Sequence, residues 1–80
     1  MTIPQFEKHL SVLRSSQATI DVQMAATLGA LLEKNQFAFT CQLWSEAFPG
    51  DPQNKFGVLK AAAARNLVIF RGSTYRLHIA

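Results

Sequence analysis

The sequence predicts one small α+β domain, mainly helical and closed at its C-terminal end by a β-hairpin. Three observations carry this. Apolar residues recur at helical spacing through most of the chain up to Arg65. Alternation then takes over in LVIFRGSTYRLHI, Leu67 to Ile79. The Gly72-Ser73 pair inside that run is a two-residue loop of the kind that closes tight hairpins. Eighty residues hold one modest core, so residues 1–80 are expected to form a single domain.

The elements follow in order. Thr2 with Gln5 makes a capping box, Pro4 sits in a first turn where its missing N–H does no harm, and Phe6, Leu10 and Leu13 repeat at helical spacing, which predicts a first helix near residues 3–15. Ser15-Ser16-Gln17 reads as a connector. Thr19 can cap a second helix over about 20–34, with Asp21 in its first turn and a stripe of Ile20, Met24, Leu28, Leu31 and Leu32. Asn35-Gln36 ends it, and Phe37-Ala38-Phe39 alternates as a very short strand.

Thr40 caps a third helix from Cys41 to Phe48, with Leu43, Trp44, Ala47 and Phe48 facing inward, and Pro49-Gly50-Asp51-Pro52 is expected to form a turn. A fourth helix is expected from Gln53 to Arg65, with Asn66 in the left-handed position that ends it. Its spacing places Phe56, Leu59, Ala62 and Ala63 on the core and leaves Asn54, Gly57, Ala61, Ala64 and Arg65 facing outward, with Lys55 and Lys60 on the flanks. In the hairpin, the loop sets Phe70 opposite Tyr75 and Val68 opposite Leu77, so Val68, Phe70, Tyr75, Leu77 and Ile79 share one side and Arg71, Thr74, Arg76 and His78 the other.

Composition narrows the function. One cysteine, Cys41, allows no internal disulfide, and with only His9 and His78 beside it gives no metal-ligand spacing. A small buried thiol is its expected state. No segment has signal-peptide or membrane-helix character, which points to a cytoplasmic protein with no membrane association. There is no carboxylate pair, nucleophile elbow or glycine-rich phosphate loop, so neither catalysis nor a cofactor is expected. The net charge of +3 is unevenly placed, with a net of −1 over residues 1–50 and +4 over residues 51–80. A polyanion would dock on the C-terminal part; an ordinary solvated face is the other reading.

Taken together, FAFT before the short helix, PGDPQNKFGVLKAAAARNLV through the next helix and its exit, and IFRGSTYRL as a hairpin resemble the winged helix-turn-helix superfamily over residues 19–80, with residues 1–16 as an additional N-terminal helix. The resemblance implies three helices packed on a small sheet and binding to duplex DNA, with the fourth helix in the major groove and the hairpin as a wing on phosphates or the minor groove. The residues it selects are Gln53, Asn54, Lys55, Lys60 and Arg65 on that helix and Arg71, Ser73, Thr74 and Arg76 on the wing.

Each has a plainer reading beside it. Asn54 can serve as a helix cap, and Arg71 and Arg76 as charges that keep an edge hairpin from aggregating. A face of small residues can also seat a partner helix. The alternative function is therefore a winged-helix protein-interaction module that does not bind nucleic acid. Few side chains on the fourth helix can read bases, which leaves a small transcriptional regulator or accessory factor acting by occupancy. The Phe6/Leu10/Leu13 stripe either completes the core or forms a homodimer interface.

Overall fold

The computed structural model describes all residues, Met1–Ala80, as five helices and a three-stranded antiparallel sheet. The helices are α1 (Ile3–Arg14), α2 (Thr19–Glu33), α3 (Cys41–Ala47), α4 (Gly50–Gln53) and α5 (Gly57–Ala64). The strands are β1 (Ala38–Phe39), β2 (Val68–Arg71) and β3 (Thr74–Leu77), ordered β1-β3-β2. This is an α+β fold compatible with the expected winged-helix order.

α1 begins as its capping box dictates: the Thr2 hydroxyl accepts from the Gln5 amide and the Gln5 side chain accepts from the Thr2 amide. Phe6, Leu10 and Leu13 are all buried, packed in one core cluster with Met24, Ala25, Leu28 and Leu31 of α2. Burying three such side chains stabilises the fold by about 5–8 kcal/mol as an upper estimate. That matches the whole stability expected of a chain this size, about 4–12 kcal/mol. The stripe therefore completes the core, and a second copy of the chain cannot use it as an interface.

α2 starts one residue earlier than Thr19 capping would allow. Its N-cap is Ala18, which has no side-chain cap; the Ser16 hydroxyl instead accepts from the Ala18 amide and donates to Asp21. Ile20 of the expected stripe is exposed, because the helix meets α1 and α5 on the side of Met24, Leu28 and Leu31. Asn35, in the left-handed region with φ 54°, ends the helix.

The hairpin has the expected register, with Phe70 opposite Tyr75, Val68 opposite Leu77 and Arg71 opposite Thr74 across a loop whose Gly72 takes φ +62°. β1 adds to the other edge of β3, pairing Phe39 with Tyr75 and Ala38 with Arg76. Phe39, Val68 and Leu77 carry the sheet into the core, where Trp44 and Phe6 are the largest fully buried side chains.

The largest departure lies between Pro49 and Gly57. The segment expected to be a simple turn contains the single helical turn α4, and the helix expected from Gln53 begins only at Gly57. Between them Lys55 and Phe56 take φ 60° and 58°, two consecutive left-handed residues that no helix can contain. The break changes which side of the helix faces inward. Val58, Leu59 and Ala62 are buried and Ala61 packs against the core, while Ala63 is exposed with Lys60 and Ala64. The outer ridge is thus Gly57, Lys60, Ala63 and Ala64 rather than Gly57, Ala61 and Ala64.

A candidate polyanion-facing surface

Asp51 organises the C-terminal half. It is fully buried, and its carboxylate accepts from the Trp44 indole N–H at 2.6 Å, the Val58 amide at 2.7 Å and the Leu59 amide at 3.1 Å. Val58 and Leu59 are the second and third residues of α5, whose amides have no partner within the helix. A carboxylate there satisfies them and complements the positive end of the helix dipole. The donors at this end that could have met a phosphate are consequently already taken. Asn54 does not cap α5; its side-chain amide donates back to the Gly50 carbonyl at 3.1 Å and closes α4.

Burial of Asp51 also decides the surface charge. It is the one acidic residue among positions 51–80, so every solvent-facing charged side chain from that half is a cation: Lys55, Lys60, Arg65, Arg71 and Arg76. Arg65 is partnered. It follows α5 directly, and its guanidinium lies 2.5 Å from the Asp21 carboxylate and against the Met24 sulfur. The Ser16 hydroxyl and then Arg65 hold Asp21 below the ordinary aspartate pKa. This is the only ion pair in the domain, so Lys55, Lys60, Arg71 and Arg76 have no carboxylate partner.

The sequence-selected residues therefore fall into two groups. Gln53 ends α4 and Asn54 and Lys55 begin the link to α5, all three exposed, with Lys60 one turn into α5. Arg71, Ser73, Thr74 and Arg76 belong to the hairpin, where Arg71 and Arg76 sit diagonally on one face with Thr74 opposite Arg71. Arg65 stands apart from both, pinned to α2.

The opposite face of the hairpin is aromatic. Trp44 stacks on Phe39 at 5.5 Å between ring centroids, Phe39 on Tyr75 at 5.8 Å, and Phe70 leans on Tyr75 at 4.7 Å. The row runs from fully buried Trp44 to Phe70, which is 58% exposed. Partial burial, and then the neighbouring Cys41 thiol, push the Tyr75 hydroxyl above its ordinary pKa. Cys41 is exposed, not buried as expected, because it opens α3 on the solvent side beside β3. His78, just past the end of β3, is half-buried: its Nδ1 lies 2.7 Å from the Asn66 carbonyl, to which it donates. Sequence reasoning missed Asp51, because its partners lie seven and eight residues away; alternation placed Phe70 correctly on the side of Val68, Tyr75 and Leu77 but gave no signal that its ring is exposed there.

No group of three or more His, Cys, Asp and Glu side chains is placed to hold a metal ion, and no helix is long and apolar enough to cross a membrane. Compared with protein families, curated proteins and solved structures, the chain matches none.

Proposed function

We propose that this is a winged-helix DNA-binding domain that docks on duplex DNA through the α4–α5 link, α5 and the β2–β3 wing. The observation that carries the reading is the charge of residues 51–80, where burial of Asp51 leaves four unpartnered cations and no exposed acidic side chain. The Gly57, Ala63 and Ala64 ridge has no bulk to hold a phosphate backbone away, and Lys60 rises from it. Base readout is limited to Gln53 and Asn54, so phosphate contacts supply most of the affinity and sequence preference is weak. A regulator of this kind works by occupancy, excluding or recruiting other proteins.

Salt titration of a labelled duplex tests it. Four neutralised phosphates give a slope of log K against log [salt] near about −3.6, so affinity falls roughly 100-fold between 50 and 200 mM salt. Replacing both Arg71 and Arg76 with Ala reduces that slope by about 1.8. Absence of any duplex shift at low salt, together with salt-insensitive recovery of one protein partner, would assign the surface to protein interaction instead.

A further inference from the structure

The hairpin carries two chemistries on its two faces. Arg71 and Arg76 share one face; Tyr75 and Phe70 share the other, with Phe70 the one exposed aromatic side chain in the protein. A phosphate backbone satisfies the first face only, since the outside of a blunt duplex offers few accessible aromatic surfaces. The second face is a π surface held rigid from behind, because Tyr75 is stacked on Phe39 and Phe39 on the buried Trp44. An exposed ring at Phe70, followed in the same strand by Arg71, whose guanidinium has no carboxylate partner, matches a ligand that is both aromatic and anionic.

We propose that Phe70, backed by Tyr75, is a stacking site for an unpaired nucleobase, and that the domain prefers duplex DNA with a single-stranded tail over blunt duplex. The inference rests on the duplex-binding reading and extends it to the structure of the DNA. Arg71 holds the backbone at the junction while the first unpaired base lies on the Phe70 ring. It lies on the edge strand β2, so its long side chain can reach round that edge to a phosphate flanking the base.

Three fluorescent probes test it by anisotropy: a blunt duplex, the same duplex with a thymidine tail, and the same duplex with an abasic tail of equal length and charge. The abasic tail separates stacking from added phosphates. Wild type should bind the thymidine tail about tenfold tighter than the abasic one, within the range of one stacked base. Phe70→Ala should erase that difference. Phe70→Trp should keep it, and guards against an Ala variant that fails to fold.

Equal wild-type affinity for thymidine and abasic tails overturns the stacking site while leaving duplex binding intact. No binding to any probe at low salt overturns the duplex reading and this inference with it. Sedimentation of a wild-type dimer that Phe70→Ala abolishes would give the aromatic face to a second copy of the chain, again overturning it.

Discussion

Asp51→Ala removes an acceptor around which three donors are arranged, and the loss can be sized from the geometry. The indole N–H of Trp44 and the amides of Val58 and Leu59 lie at 2.6, 2.7 and 3.1 Å from the carboxylate, in a site closed to water. A buried donor left unsatisfied costs about 1–3 kcal/mol, and truncating one member of a buried charged network costs about 3–5 kcal/mol in all. The second figure is the better guide, because water can enter the space an alanine leaves and satisfy part of the set. A loss of about 3–5 kcal/mol is comparable with the total stability of a domain this size, about 4–12 kcal/mol. Asp51→Asn keeps one acceptor oxygen but turns an amide N–H toward a donor, so its cost is intermediate, about 2–3 kcal/mol.

Urea unfolding followed by far-ultraviolet circular dichroism measures this without relying on Trp44, whose emission changes with its indole partner. With a slope of about 1 kcal/mol per molar urea, the Ala variant shifts the midpoint down by about 3–5 M or is unfolded in buffer. A double-mutant cycle with Trp44→Phe should return a coupling of about 1–3 kcal/mol for the indole bond to a charged acceptor. A midpoint shift below about 1 M for Asp51→Ala would refute the reasoning, since it would mean that the helix start needs no internal carboxylate.

Two further predictions concern Lys55 and Asp21. Lys55 holds φ 60°, where a glycine has no Cβ penalty of about 1–2 kcal/mol but loses about 0.5–1 kcal/mol more chain entropy on folding. Lys55→Gly should thus raise stability by about 0.5–1 kcal/mol in the same urea assay while weakening duplex binding, which separates the fold's requirement from the charge's. Asp21, held below its ordinary pKa by Ser16 and Arg65, contributes stability that is present above the unfolded aspartate value, about 4, and is lost as pH falls toward its depressed native value. Asp21→Asn should be less stable than wild type at neutral pH, with the gap closing as pH drops below about 4. Thermal melts from pH 7 to pH 3 check this, and a gap of constant size would refute it.

Much of the fold is legible in the sequence because its signals are local. The Thr2–Gln5 capping box, the Thr40 cap and the Gly72-Ser73 loop each act within a few residues, and each appears in the structure where those residues place it. The break at Lys55-Phe56 is not local. Nothing between Gln53 and Arg65 except Gly57 weakens a helical reading, and that run includes four consecutive alanines, the strongest helix formers. What interrupts it is tertiary: the Asp51 carboxylate can reach the second and third amides of α5 only if the chain turns back between them. Indole, carboxylate and helix start come together through Trp44, seven residues upstream of Asp51. No pairwise spacing rule announces such a triangle.

The same burial links fold to function. An exposed Asp51 would leave α5 without its cap and would add a solvent-facing negative charge to a segment whose other charged side chains are all cations. Buried, it spends its charge on two helix amides and an indole, and its field reaches solvent only weakly. The charge separation is set by the sequence, −1 over residues 1–50 against +4 over residues 51–80, and the way α5 begins takes the one acidic side chain of the second segment out of solvent. Any substitution that rescues the fold by replacing Asp51 with an apolar side chain would preserve the exposed cations, whereas one that moves a carboxylate onto the outer ridge, such as Ala64→Glu, leaves the core untouched and, on the proposed duplex reading, lowers affinity. If duplex affinity follows the ridge charge and is indifferent to how the core site is filled, electrostatics rather than the detailed shape of α5 sets the binding.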